Sequence, residues 1–190
     1  MSKQMKNQFL SARPLGGFSG AALLLAAPMA MAHHPMGAIP ATFEEGLLSG
    51  FGHPIIGIDH FAFLLVAALL AFTLSGKARY LVPLAFVGAT VGGTLYHLGA
   101  ADLPMTETMV ALSALLGGVA VLLKRSASAL LMAGLFAVFG VFHGYAYGEA
   151  VVGAGMDTVL AYLAGFAVIQ MAIAVAAFWV AKQLAGQSEG

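Results

Sequence analysis

The sequence predicts an all-α, polytopic membrane protein, a helical bundle of about five transmembrane helices after removal of a signal peptide. Three observations lead to this prediction. The 190-residue chain is 61% hydrophobic and only 8% charged, whereas soluble domains contain about 25% charged residues. Its apolar residues gather in stretches close to the roughly 20 residues that a helix needs to cross a bilayer. Charged residues are concentrated in the short segments between these stretches.

The first 32 residues are ordered like a secretory signal peptide. The start of the chain is basic, with Lys3, Lys6 and Arg13. The apolar run Leu15–Ala27 follows, and Ala30-Met31-Ala32 supplies a small-residue cleavage site. An uncleaved first membrane helix is the alternative, and the shortness of the apolar run disfavours it. With cleavage, the mature chain begins at residue 33.

Five apolar stretches follow, and we interpret each as a membrane span. They are Ile55–Ser75, Tyr80–Ala100, Thr108–Leu123, Ala127–Tyr147 and Thr158–Ala181. The predicted organisation is a cleavable signal peptide over residues 1–32, a periplasmic segment over 33–54, a transmembrane domain over 55–182 and a cytoplasmic tail over 183–190.

Charge divides the connecting segments into two alternating groups. Basic residues follow the first, third and fifth spans: Lys77, Arg79, Lys124, Arg125 and Lys182. Acidic residues precede the first span and follow the second and fourth: Glu44, Glu45, Asp102, Glu107, Glu149 and Asp157. Because basic loops stay in the cytoplasm, we predict a bacterial inner-membrane protein with a periplasmic mature N-terminus and a cytoplasmic C-terminus. An exported N-terminus requires the same arrangement.

The composition also restricts partners and ligands. The net charge is zero and no basic tract is present, so nucleic acid is not an expected partner. The chain has no cysteine, which excludes disulfides and thiolate metal sites and leaves His, Asp, Glu and Met as metal ligands. The expected partners are the lipid bilayer and a metal ion, and a homo-oligomer is left open.

Two histidines and a carboxylate stand where the first span begins: His53, Asp59 and His60. Ionisable groups are costly at membrane depth and indicate a functional site. Imidazole and carboxylate together suit borderline divalent ions such as nickel, cobalt, zinc or copper. His53 and His60 are seven residues apart, about 10.5 Å along a straight helix. Either the backbone breaks between them, as Pro54 and Gly57 would allow, or they form two successive binding stations.

The remaining histidines lie at the same predicted side of the membrane. His97 ends the second span, and His143, followed by Glu149, lies near the end of the fourth. We take these three as further candidate metal ligands, although a lone His97 equally suits a hydrogen bond between helices. His33 and His34 would open the mature chain and form an outer capture site, or else belong to an exported tail without a role in binding.

Glycines recur every four residues on two of the predicted spans, Gly88 and Gly92 on the second and Gly140, Gly144 and Gly148 on the fourth. Small-residue faces of this kind let membrane helices approach closely. We therefore assign these glycines to helix packing.

Two motifs resemble the HupE/UreJ family of hydrogenase and urease accessory membrane proteins. They are the H-x5-D-H pattern from His53 to Asp59-His60 and the fourth-span segment Phe142-His143-Gly144-Tyr145-Ala146-Tyr147-Gly148-Glu149. The resemblance implies a nickel or cobalt permease that supplies metal for hydrogenase, urease or cobalamin. It also implies metal-handling roles for His53, Asp59, His60, His143 and Glu149, whereas His97 lies outside both motifs.

The resulting hypothesis is a permease rather than an enzyme, carrying nickel first and cobalt next, with zinc or copper also open. No phosphate-binding G-x-x-x-x-G-K-[ST] motif is present, so the chain itself does not use ATP in that way. A membrane metalloenzyme would use the same cluster with an open coordination position. A non-transporting metal sensor or assembly factor is the other alternative.

Overall fold

The structure is a computed structural model that describes residues 39–99, 102–123, 125 and 127–187, with side chains up to residue 183. Its helices are α1 (Phe43–Ile56), α2 (Ile58–Phe72), α3 (Ala78–Leu98), α4 (Thr106–Leu122), α5 (Ala129–Gly148), a 3₁₀-helix (Glu149–Val151) and α6 (Met156–Gln187). These described ranges contain no strand, so the predicted all-α fold is confirmed. The predicted signal peptide, His33 and His34 lie outside them.

Three helices are long and apolar enough to cross a membrane. They are Ala78–Leu98, Ala129–Val151 and the apolar part of α6, Met156–Gln183. Helices α1 and α2 pass the same test only as a pair that is bent by 75°. Helix α4 has 17 residues, which is short for a span. The structure therefore gives three to four candidate spans among the described residues, fewer than the five that hydropathy alone predicts.

The first predicted span, Ile55–Ser75, differs most from the structure. Part of the segment expected to precede the membrane domain forms α1, which packs along α6. Helix α1 begins with a capping box at Thr42 and Glu45. The Thr42 hydroxyl accepts a hydrogen bond from the Glu45 backbone N–H, and the Glu45 carboxylate accepts one from the Thr42 backbone N–H. The chain then breaks at Gly57, whose extended backbone ends α1 and begins α2.

Close contacts at glycine join the helices in two pairs. On α1, a Cβ at Gly46 or Gly50 would overlap the carbonyl oxygens of Thr158 or Tyr162 on α6. On α5, a Cβ at Gly144 would overlap the Thr90 carbonyl of α3, and Gly140 and Gly148 also face α3 closely. Backbone approach of this kind is typical of small-residue faces in membrane helices.

The packing face of α3 is not the one that the glycine repeat predicts. Gly88 and Gly92 face open space, with no atom of the chain within 4 Å of an added Cβ. Gly93 makes the close approach instead, against the Val141 carbonyl of α5. Since adjacent helical residues point about 100° apart, this single-residue offset turns Gly88 and Gly92 to the outside of the described chain.

The outer surface of the bundle is apolar, as expected for contact with lipid. Many large apolar side chains point outward, and the most exposed of them, Leu130 on α5, is 85% exposed. Inside, one apolar cluster surrounds Phe63, Phe86 and Phe136, and a second surrounds Tyr162 and Phe166. The buried histidines lie between these two apolar clusters and contact residues of both.

Candidate functional site

The backbone break at Gly57 brings the first two histidines together. The ring centroids of His53 on α1 and His60 on α2 are 5.9 Å apart, although a straight helix would separate the residues by about 10.5 Å along its axis. The structure thus follows the broken-backbone alternative. Gly57 is needed here for space, because an added Cβ would lie 2.6 Å from Cδ2 of the His60 ring.

The third histidine comes from α5 and closes the cluster. His143 Nδ1 lies 2.7 Å from His60 Nδ1, and the two ring centroids are 4.9 Å apart. On its other side, His143 stacks on Phe63 at 4.7 Å and meets the edge of Phe86 at 5.6 Å. The His143 side chain is 0% exposed, so its position is fixed by contacts from three helices.

Ser113 on α4 determines which nitrogen of His143 carries the proton. Its hydroxyl donates to the Val110 carbonyl at 2.6 Å and lies 2.9 Å from His143 Nε2. A hydroxyl has one proton to donate, so Ser113 accepts from Nε2–H. The network therefore assigns His143 as the Nε2–H tautomer, whose Nδ1 lone pair accepts the Nδ1–H of His60. His60 is then left with its lone pair on Nε2.

Tyr162 on α6 determines in the same way which nitrogen of His53 carries the proton. The Tyr162 hydroxyl donates to the Tyr147 carbonyl at 2.8 Å, and its oxygen lies 3.0 Å from His53 Nδ1. Because that proton is already used, His53 Nδ1–H is the donor and its lone pair is on Nε2. Tyr147 completes the cluster, with its ring 4.5 Å from His60 and 5.1 Å from His53.

Burial increases from one side of the cluster to the other. Asp59 and His53 are partly exposed, His60 is 6% exposed and His143 is 0% exposed. The Asp59 carboxylate accepts from the His60 backbone N–H at 2.9 Å and adds a negative charge at the start of α2. Asp59 and His53 thus form the more exposed side of the cluster, and His143 forms its buried side.

The other predicted ligands lie elsewhere. His97 belongs to the α3–α5 contact, where its Nδ1 is 2.8 Å from the Tyr145 carbonyl and its ring is 4.1 Å from the Tyr145 ring. Glu149 is exposed in the 3₁₀-helix. The structure thus brings His53, Asp59, His60 and His143 to one region and places His97 and Glu149 outside the ring cluster.

Among the residues that the structure describes, no three His, Asp or Glu side chains stand ready around one metal position. The imidazoles instead contact one another. His60 donates its Nδ1 proton across the 2.7 Å contact, so it can offer an ion only the lone pair on Nε2. His143 Nδ1 becomes available as a ligand when the hydrogen bond between the two rings breaks.

Several residues of the site were not predicted from the sequence. Ser113, Tyr147 and Tyr162 hold or surround the histidines, and Gln170 is buried nearby on α6. A polar residue within an apolar helix is the feature by which the sequence could have pointed to them. It does not reveal which residue the polar group contacts, because the contacting residues lie on other helices.

Fold and site together define a polytopic α-helical membrane protein with a buried histidine cluster between its helices. The chain belongs to the HupE/UreJ family, since the model of that family, described as HupE / UreJ protein, matches residues 21–190. A curated relative, Protein HupE of Rhizobium leguminosarum bv. viciae, is 33% identical over 122 residues. That match covers 64% of this chain and 63% of the relative. No solved structure matches the chain.

Proposed function

We propose that this protein is a permease for a divalent metal ion, nickel first and cobalt next, in the bacterial inner membrane. The observation that carries the proposal is the meeting of His53, His60 and His143 inside an apolar helical bundle. Family membership supports the choice of metal and a role in supplying hydrogenase, urease or cobalamin synthesis. The protein would act as a transporter and not as an enzyme.

The ion is the cargo, and the proposed path begins at the more exposed end of the cluster. Asp59 attracts the hydrated cation, and His53 and His60 replace part of its water. The ion is held by the lone pair on His60 Nε2; the hydrogen bond between His60 and His143 then breaks, and the freed lone pair of His143 Nδ1 becomes the next ligand. Because the imidazoles must first part, binding is weaker than in a site that is already open. A conducting path requires such weak binding, since the ion must also leave.

The proposed orientation follows the charges of the loops. If the bent pair α1–α2 counts as one span and the 17-residue α4 also crosses, at the short end of the range for a membrane helix, the basic connectors lie in the cytoplasm and the cluster opens to the periplasm. A membrane potential favours inward movement of a doubly charged ion by about 4.6 kcal/mol per 100 mV, so transport needs no nucleotide site. His97 and Glu149 remain proposed contributors near the periplasmic end, and His33 and His34 remain a proposed capture site.

The test is uptake of radiolabelled nickel and cobalt by cells that express the parent or a variant at matched membrane levels. We expect His60→Ala and His143→Ala to lower uptake at least tenfold. His97→Ala is the informative comparison, because it removes another intramembrane imidazole without touching the ring cluster. Loss of uptake would include His97 in the path, and parental uptake would limit it to helix packing. Parental uptake in both cluster variants would refute the proposal.

The two alternative functions, a metalloenzyme and a metal sensor or assembly factor, predict different results for the purified protein. A metalloenzyme would retain stoichiometric metal through purification and would not transport it into vesicles. A sensor or assembly factor would bind a partner in a metal-dependent way without changing cellular metal. Either result would replace the permease.

A further inference from the structure

Tyr147 supplies the third ring on the more exposed side of the histidine cluster. Its ring centroid lies 4.5 Å from that of His60 and 5.1 Å from that of His53, and the two histidine rings are 5.9 Å apart. The three rings therefore stand at the corners of a small triangle. The hydrogen bonds that fix the tautomers put a lone pair on Nε2 of both histidines, so Tyr147 lies beside the two rings that meet an entering ion first.

The ring of Tyr147 is held firmly, but its hydroxyl makes no contact of its own. The ring packs against Phe166 at 5.4 Å, and the backbone carbonyl of Tyr147 accepts from the Tyr162 hydroxyl at 2.8 Å. The Tyr147 side chain is 0% exposed. Among the residues that the structure describes, none forms a hydrogen bond with its hydroxyl, although buried polar atoms are normally satisfied.

Packing alone does not explain the Tyr147 hydroxyl. Phenylalanine would fill nearly the same space and keep the contacts with Phe166 and the two histidine rings. It would also avoid the cost of burying a hydroxyl without a hydrogen bond. The hydroxyl lies within electrostatic range of the Asp59 carboxylate, and Asp59 belongs to the more exposed side of the cluster. This combination indicates a polar molecule that enters from outside the chain.

The hydration shell of the transported ion contains a molecule of this kind. Two imidazoles fill only part of the coordination shell of a divalent cation, and water keeps the remaining positions. A water molecule that binds a cation through its oxygen has its two protons left to donate, and a phenol oxygen is an acceptor for them. Hydrogen bonds through a bound water are nearly as favourable in enthalpy as direct ones.

We propose that the Tyr147 hydroxyl accepts a hydrogen bond from a water molecule that the divalent cation retains while His53 and His60 bind it. This inference rests on the proposed permease function and makes Tyr147 a residue that determines specificity without being a ligand. Zinc is usually four-coordinate in proteins, whereas nickel and cobalt readily take six ligands and therefore keep more water beside two imidazoles. The Tyr147 contact thus favours nickel and cobalt over zinc.

The experiment measures equilibrium binding of nickel and zinc to the purified full chain in detergent, for the parent and for Tyr147→Phe. We expect nickel affinity to fall about tenfold and zinc affinity to fall less than threefold. The variant keeps the ring and removes an unsatisfied hydroxyl, so its unfolding midpoint without metal should not lie below that of the parent. Parental nickel affinity, or an equal loss for nickel and zinc, would overturn the inference.

Tyr145→Phe is the matched control on the same helix. The Tyr145 ring contacts His97 at 4.1 Å and Tyr96 at 6.4 Å, so it faces α3 and lies outside the ring cluster. His97 bonds to the backbone carbonyl of Tyr145, which the substitution keeps. Nickel and zinc affinities should equal the parental values. A loss of nickel affinity as large as that in Tyr147→Phe would refute an effect specific to the Tyr147 hydroxyl.

X-ray absorption by bound nickel distinguishes a lost water contact from a lost ligand. The number of imidazoles on nickel should be the same in Tyr147→Phe as in the parent, whereas His60→Ala should lower it by one. Fewer imidazoles in Tyr147→Phe would mean that the hydroxyl acts by orienting the histidines, and would overturn the water contact. A parent protein that neither binds nor transports nickel or cobalt would overturn the permease itself.

Discussion

The space at Gly57 provides a direct test of the histidine arrangement. In Gly57→Ala, the new Cβ would stand 2.6 Å from Cδ2 of His60, whereas carbon atoms are in favourable contact at about 3.5–4.0 Å. The ring must therefore retreat by about 1 Å, far beyond the roughly 0.2 Å that metal–ligand distances tolerate. Alanine also favours a helix over glycine by about 1 kcal/mol, which opposes the break between α1 and α2.

Both effects move His60 away from its partners while leaving the rest of the bundle unchanged. We expect nickel affinity and uptake to fall about 10–100-fold, the range found when a metal ligand loses its orientation. The backbone at Gly57 has φ −70° and ψ 101°, which alanine also adopts, so the loss of stability should be limited to the separated His60–His143 contact, about 1–3 kcal/mol, and the protein should still fold. The measurements are nickel binding by calorimetry, cellular nickel uptake and the unfolding midpoint in detergent.

Two other glycines serve as controls for this substitution. A Cβ at Gly134 meets no atom within 4 Å, so Gly134→Ala should leave binding and uptake unchanged and should not lower stability. A Cβ at Gly144 overlaps the Thr90 carbonyl, so Gly144→Ala should destabilise the α3–α5 contact by about 1–3 kcal/mol. Parental nickel affinity in a folded Gly57→Ala protein would refute the view that the break positions His60 for the ion.

Three further predictions concern the hydrogen bonds of the cluster and its ligand. Ser113→Ala removes the acceptor that holds His143 Nε2–H, so nickel uptake should fall about tenfold. Parental uptake would show that Ser113 does not orient the His143 ring. Tyr162→Phe removes the hydrogen bond from the Tyr162 hydroxyl to the Tyr147 carbonyl and the acceptor of His53 Nδ1–H. It should lower the free energy of unfolding by about 1–3 kcal/mol and also weaken nickel binding. Tyr80→Phe, at an exposed tyrosine, is the matched control and should change neither quantity. Nickel at 100 times its dissociation constant should stabilise the parent by about 2.7 kcal/mol in a thermal unfolding assay and should have little effect on His143→Ala, whereas equal stabilisation of both would place the ion elsewhere.

The positions of the long helices could be predicted from the sequence to within a few residues. The predicted spans Tyr80–Ala100 and Ala127–Tyr147 correspond to the helices Ala78–Leu98 and Ala129–Gly148. Local composition suffices for this, because a membrane helix satisfies its own backbone and needs only enough apolar residues in a row. Composition does not reveal the break at Gly57, because the hydropathy of a segment measures how apolar it is and not whether its helix is straight.

Much less of the candidate site could be predicted. The sequence indicated that His53, His60 and His143 belong together, but it left open whether the first two meet. It indicated a packing role for Gly88 and Gly92, whereas the structure turns them outward and uses Gly93. The rotation of a helix about its axis depends on contacts with its neighbours, and lipid is about as apolar as a protein core. Apolar patterning therefore does not specify which face turns inward.

By itself, the sequence determined an all-helical membrane chain with imidazoles and carboxylates concentrated near the ends of its apolar segments. This follows from composition and from the cost of polar groups in lipid, which act at each position separately. Only the tertiary structure decided that a 75° bend joins His53 to His60, that Ser113 and Tyr162 set the histidine tautomers, and that Tyr147 keeps an unused hydroxyl. These features depend on atoms from different helices lying within hydrogen-bond distance, which no single segment of sequence contains.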